Sequence, residues 1–191
     1  DAAKGLVKLT DFDPLREFPA IRSDLGAIAA ASYVSEFLTA TSALGGDWTD
    51  ALELASDSLS AFDEAAGGAD AKLLDRAVAL FSMRALDVMG LMPDPDECVA
   101  CAGAMSRDTV HSYSRRAGGF VCARCAGAEP DAVPVPRGAL SWLDAARGKP
   151  FSAAVRVGLG DEASSALKAV ALDLARKAAD APLRTLNSGL L

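Results

Sequence analysis

From residue 24 onward, apolar side chains return every three or four positions: Leu25, Ile28, Ala29, Tyr33 and Phe37. That spacing places them on one stripe of an α-helix. Ser23 offers an N-cap and Gly45-Gly46 a stop, so a first helix is predicted over 24–44. A second is predicted over 49–66, with Leu52, Leu54, Ala55, Leu59 and Phe62 inward and Gly67-Gly68 at its end. A third runs from an Asp70 cap to about 89 through Leu73, Ala77, Leu80, Phe81, Ala85 and Val88. Gly90 sits where a C′ glycine belongs, and Pro93 and Pro95 prevent continuation. Further on, the pattern predicts a short helix over 136–147 and one or two helical turns within 151–157. A last helix is predicted over 161–181, capped by Asp161 and closed by Pro182. Glu162 in its first turn and Arg176 and Lys177 near its end suit the helix dipole. Strand-like runs are few. They are 4–10 at the front, and 112–114 and 119–121 on either side of a Gly118-Gly119 turn. The stretches 10–19 and 128–136 are proline-rich and read as links.

Composition supports a helical core. Apolar residues make up 51% of the chain and aromatics only 6%, so alanine and leucine must carry the packing. The length of 191 residues suits one large domain or two small ones. A net charge of −7 counts against a broad nucleic-acid or anionic-membrane surface, though not against a local basic patch. No apolar run approaches the ~20 residues a membrane helix needs. The start, Asp1-Ala2-Ala3-Lys4-Gly5, has no apolar leader, so no signal peptide is expected; a start without Met leaves a missing N-terminal segment open.

Cys98, Cys101, Cys122 and Cys125 form the pattern C-x2-C-x20-C-x2-C. Each pair on a tight turn aims two thiolates at one point, and two such turns complete the tetrahedron that Zn²⁺ prefers. The intervening residues have the length of a hairpin that returns to the metal. Four thiolates leave no open coordination position, so such a zinc is structural. Iron, two disulfides or four free thiols are the alternatives, and cysteine pairs in a large helical chain favour metal in a reducing compartment. Between 98 and 127, Arg107, Arg115, Arg116 and Arg124 stand against Asp108 alone. Arg115, Arg116 and Arg124 are therefore candidates for contact with phosphate or an acidic partner. The other reading is a solvated hairpin whose arginines offset a dianionic metal–thiolate centre.

Other chemistry is thin. His111 is the lone histidine and has no nucleophile partner, so a surface position is expected. Asp94, Asp96 and Glu97 lie among prolines without EF-hand spacing. There is no phosphate-binding loop, and Gly158-Leu159-Gly160 lacks a third glycine. Met83, Met89 and Met92 and the tryptophans Trp48 and Trp142 are expected to pack. No catalytic residue is expected.

Taken in order, several segments resemble the bacterial recombination mediator and DNA repair family RecO. They are L-x-x-I-A-x-A-S-Y-x-x-E over 25–36, F-x-x-R-x-L-x-x-x-G-x-x-P-x-x-x-x-C over 81–98, and Y-S-x-x-x-G-G-x-x-C-x-x-C over 113–125. Pro136-Arg137-Gly138-Ala139-Leu140 and the Pro182-Leu183-Arg184 end complete the series. Two departures stand out. Tyr113 replaces the family's usual Phe, and Ala102 comes before Gly103 where the family usually has Gly directly after the second cysteine.

The resemblance implies a mainly α fold: a helical bundle with an inserted four-cysteine zinc finger built on a short β-hairpin. The family's N-terminal OB-fold barrel is mostly absent from this chain, with 1–10 as a remnant of its last strand. The implied division is 11–97 for the first helical half, 98–127 for the finger and 128–191 for the second helical half. It also implies a non-enzymatic, cytoplasmic, nucleoid-associated bacterial protein. Such proteins bind single- and double-stranded DNA, largely through the OB fold, and work with RecR, the single-strand-binding protein and, indirectly, RecA. The tail of single-strand-binding protein is acidic with an apolar end. Arg76 and Arg84 on the third helix are candidate contacts for it, or else simply face water.

Overall fold

A computed structural model describes residues 10–11, 13–42, 48–68, 70, 72–106, 111–179 and 181–191. Three long helices, α1 (Leu25–Thr41), α2 (Thr49–Gly67) and α3 (Leu73–Val88), form the first part of the body. A small sheet follows, with β1 (His111–Ser114) and β2 (Gly119–Val121), then one turn of helix, α4 (Ala123–Ala126), and β3 (Ala132–Val135). The chain closes with α5 (Arg137–Ala146), α6 (Phe151–Ala154), α7 (Asp161–Ala178) and α8 (Arg184–Asn187). The protein is thus mainly helical, as its sequence pattern predicts. Residues 4–9 of the expected strand over 4–10, and the Gly45-Gly46 stop, lie outside the described residues.

α3 is the centre of the bundle. From Arg76 to Met83 every residue is buried, because α2 covers one side and α7 another. Tyr33 and Phe37 of α1 meet Phe81 of α3 edge-on, with ring centroids 5.8 and 6.1 Å apart, the geometry that ring quadrupoles favour. The Tyr33 hydroxyl lies 2.8 Å from Ser82 Oγ, which satisfies both groups away from water. Burial pushes the Tyr33 phenol well above its ordinary pKa.

The helix ends follow local chemistry, with some differences from the sequence reading. Asp24, not Ser23, caps α1: its carboxylate accepts from Ala27 N at 2.8 Å, while the Ser23 hydroxyl donates to Ala20 O. Asp70 accepts from Lys72 N at 2.9 Å, and α3 begins at Leu73. Gly90 adopts φ +69°, and Leu91 N donates to Leu86 O and Gly90 N to Asp87 O, a complete Schellman closure. α7 begins at Asp161, with Gly160 as its cap, and ends at Ala178.

β3 and α8 both escaped the sequence reading. The proline-rich stretch 128–136 contains β3, which pairs antiparallel with β1 in the order β2-β1-β3. Pro134 is tolerated there because β3 is an edge strand and the missing N–H disrupts no second ladder. The expected hairpin is therefore a three-stranded sheet. α8 follows Pro182 and is capped from across the fold. Glu36 of α1 accepts from Arg184 N at 2.6 Å, Thr185 N at 2.9 Å and Thr185 Oγ1 at 2.6 Å. These bonds hold the Glu36 carboxyl below its usual range despite the opposing effect of burial.

Candidate metal centre

The first cysteine turn follows α3's exit. Cys98 N donates to Gly103 O at 3.0 Å, and Ala102 N returns to Cys98 O at 2.8 Å, closing a knuckle over 98–103. Closure forces Ala102 to φ +53°, a left-handed conformation that glycine adopts far more readily. A Cβ at Gly103 would stand 3.3 Å from Cys101 Sγ, a tight contact against one of the four thiols. The second turn leaves β2. Cys122 precedes α4, and Cys125 N and Ala126 N both donate to Cys122 O.

The two turns are brought together by a close crossing. Val99 N donates to Phe120 O at 2.9 Å, laying the first knuckle on β2. A Cβ on Gly119 would stand 2.3 Å from Val99 Cγ1, so only glycine admits the crossing. Its neighbour Gly118 serves a different need, with φ +69° at the β1–β2 turn.

All four sulfurs lie within 4.8 Å of one another, and Cys101 Sγ to Cys122 Sγ is 4.0 Å. Tetrahedral coordination with metal–sulfur bonds of about 2.3 Å requires sulfurs about 3.8 Å apart. The observed cluster lies close to that spacing, and small side-chain shifts would let it hold a metal ion. Cys98 is buried and its thiol accepts from Cys122 N at 3.4 Å. Burial pushes the Cys98 thiol up, but backbone N–H donors from Cys122, Ala100 and Cys101 bring it down to about 6. Cys122 is also lowered, chiefly by the Cys125 N–H. Hydrogen bonding with Cys101 and Cys122 pushes Cys125 up to about 12. The site therefore favours thiolate at some sulfurs and thiol at others, and a cation would displace the remaining protons.

The candidate arginines have diverse surroundings. Arg124 bonds with Cys122 and feels the negative charge of Cys122 and Cys101, which raises its pKa. Arg116 grips Glu129 with bonds of 3.0 and 3.1 Å, and its backbone N donates to Asp131. Arg115 is exposed, and Lys177 Nζ donates to its carbonyl. Arg107 lies outside the described residues. Arg76 and Arg84 sit elsewhere, in the body. Arg76 donates to Val155 O at 2.9 Å and pairs with Asp70. Arg84 donates to Ala146 O at 3.0 Å and Lys149 O at 2.6 Å, with its guanidinium 5.6 Å over the Phe151 ring.

Several residues that hold the centre were not evident in the sequence. Tyr113 is buried against Phe120, and its hydroxyl donates to Asp173 Oδ2 of α7 at 2.7 Å. Lys177 completes the anchor, 2.9 Å from Asp173 and 5.8 Å over the Tyr113 ring. Against the effect of its burial, Tyr113 and Lys177 hold the Asp173 carboxyl below its usual range. Ser114 donates to Glu129 at 3.0 Å and to Asp131 at 3.3 Å, linking β1 to the approach to β3. His111, at the start of the central strand β1, is buried, not on the surface. Its Nε2 lies 2.9 Å from Ser106 O. Only the Tyr113 position carried a sequence signal: it is where the resembling family has Phe, and the hydroxyl is what reaches Asp173.

Comparison with known proteins adds to this geometry. A family profile described as "Recombination protein O C terminal" matches residues 22–187. The chain is 29% identical over 148 residues to the DNA repair protein RecO of Roseiflexus sp. (strain RS-1), covering 78% of this chain and 50% of the relative. It is 32% identical over 168 residues to the DNA repair protein RecO of Anaeromyxobacter sp. (strain Fw109-5), covering 86% and 63%. With that of Bacillus subtilis (strain 168) it shares 30% over 131 residues, covering 69% and 48%. The chain thus spans about half the length of most of these relatives. No solved structure matches it. No described helix is long and apolar enough to cross a membrane. The profile covers the three long helices, both cysteine turns and α7, so the chain belongs to the recombination protein O C-terminal family.

Proposed function

We propose that this chain is the helical and metal-bearing part of a recombination mediator in DNA repair, one that works by binding rather than catalysis. The observation that carries this reading is the family match over nearly all described elements. In this reading Cys98, Cys101, Cys122 and Cys125 hold one structural Zn²⁺. The ion cross-links the two knuckles and, with four thiolates, has no open position for substrate. The finger over 98–127 rests on the helical parts 11–97 and 128–191. Single- and double-stranded DNA, RecR and single-strand-binding protein are the partners, in support of strand annealing and RecA loading in the bacterial cytoplasm, at the nucleoid.

Arg115, Arg116 and Arg124 bind phosphates in this reading. The salt dependence of DNA affinity tests it. Each Arg→Gln change that frees one phosphate of a single strand should make the slope of log K against log salt shallower by about 0.7. Unchanged slopes in all three variants exclude these residues. Elemental analysis showing no zinc per chain excludes the metal.

A second reading has its own support. Arg116 is committed to Glu129, and Arg124 to the thiols, in a chain of net charge −7. Both favour a zinc-stabilised adaptor that contacts proteins without touching DNA. Arg76 and Arg84, the candidate contacts for the single-strand-binding tail, are each bonded to backbone carbonyls of the body. Binding to RecR or to the single-strand-binding tail, with no DNA binding even at low salt, selects the adaptor.

A further inference from the structure

A groove of 360 Å³ opens between α2, the end of α3 and the end of α5. Its floor is apolar, with Leu54, Leu80 and Met83 below and Val88, Met92 and Leu143 at the sides. Val88 is 47% exposed, and Leu91 in the turn just beyond is 42% exposed, so the apolar surface continues out of the groove. The rim carries Asp50, Glu53, Asp57 and Asp87 against Arg84 and Arg147. Arg84 is already spent on two backbone carbonyls. Asp57 has Arg16 at 4.0 Å. Asp50, Glu53 and Asp87 are exposed and have no ion pair among the described residues.

An apolar floor under an unbalanced acidic rim selects its occupant by charge. A segment with apolar side chains flanked by Lys or Arg gains burial and attraction together. An acidic segment or a nucleic-acid backbone meets repulsion at the same rim. We propose that this groove docks a basic, apolar-anchored peptide segment of a partner protein, with its cations at Asp50, Glu53 and Asp87. The proposal stands apart from nucleic-acid binding and from the metal centre.

The test uses the 191-residue chain and two fluorescent helical peptides. Both carry the same Leu and Met anchors, one flanked by Lys and Arg and the other by Glu and Asp. Anisotropy should show the basic peptide binding roughly tenfold or more tighter than the acidic one, with the difference shrinking as salt rises. The triple variant Asp50→Asn, Glu53→Gln, Asp87→Asn should lose that difference while keeping its helicity and zinc content. Val88→Asp, an exposed change, should weaken the anchors' hold and lower affinity several-fold. Equal or tighter binding of the acidic peptide overturns the proposal, as does binding of neither. So does concentration-dependent self-association that the triple variant abolishes, which would make a second copy the occupant. DNA affinity and metal content unchanged in the variant separate this outcome from any failure of the mediator reading.

Discussion

From Arg76 to Met83 α3 buries every residue, whereas the knuckle segment over 98–106 buries only Cys98 and Met105. The first is held by area: many side chains remove apolar surface from water, and each contributes a part. The second buries little of its own and is held by points: the close crossing at Gly119 and two thiols that face the other cysteine pair. Area is redundant, so α3 tolerates losses one at a time. Point contacts are not, so the knuckle over 98–106 should depend steeply on each one.

Removing the proposed zinc tests this contrast most severely. A structural zinc supplies on the order of 10 kcal/mol, far more than the knuckles' own contacts provide. Chelation, or Cys98→Ser, should abolish hydrogen-exchange protection around the two cysteine turns. α1, α2, α3 and α7 should stay helical by circular dichroism. Loss of the whole fold would show that the two regions are one cooperative unit and would break the contrast.

The reciprocal change comes next. Phe81→Ala removes the ring that Tyr33 and Phe37 meet edge-on, and large-to-small changes at such sites cost about 3–5 kcal/mol. Thermal unfolding of the body should shift down strongly, while metal stoichiometry measured below the transition should not change. A variant that folds but binds less metal would show that the α3 core positions the knuckles.

What was legible in the sequence follows the same division. Periodicity revealed α1, α2, α3 and α7, because area-driven burial repeats at helical spacing and averages over many residues. Gly90 was legible because a C′ glycine is a local requirement. The four thiols were legible because coordination geometry fixes their spacing. β3 was not: its strand character comes from pairing with β1, and Pro134 disguises it as a link. α8 was hidden because its cap, Glu36, lies far away in the chain. Arg76 and Arg84 looked like surface cations on a helical pattern, yet backbone carbonyls of the α5–α6 region claim them, and no one-dimensional pattern records that. The acidic rim of the groove was equally invisible, since its carboxylates come from two helices.

The anchor to α7 provides a smaller test. Tyr113→Phe restores the residue the resembling family usually carries and removes the bond to Asp173. A hydrogen bond to a charged group contributes about 1.5–3 kcal/mol, and Lys177 retains part of the stabilisation of Asp173. A loss of about 1.5 kcal/mol, the lower end of that range, is expected. The pH dependence gives a sharper signature. Asp173 is held below its usual carboxylate pKa in the folded protein, so its stabilisation is complete above the unfolded value and disappears as pH falls through the lower folded value. Denaturant titrations in the acid range should show Tyr113→Phe losing less stability on acidification than the parent chain. An unchanged acid limb would mean that the cations Lys177 and Arg115 set the Asp173 pKa without the Tyr113 hydroxyl.

The smallest expected effect has the opposite sign. Ala102 sits at φ +53° because the knuckle must turn back between Cys101 and Gly103. An L-residue there costs about 1–2 kcal/mol, part of which glycine returns through the greater entropy of its unfolded state. Ala102→Gly should therefore stabilise the knuckle by about 0.5–1 kcal/mol. Because the strain falls in the turn that carries Cys98 and Cys101, the gain should appear as tighter retention of the proposed zinc in chelator competition, with the helical body's melting unchanged. A gain in the body's melting with no change in metal retention would place the strain's cost in the whole fold and erase the distinction between area-held and point-held regions.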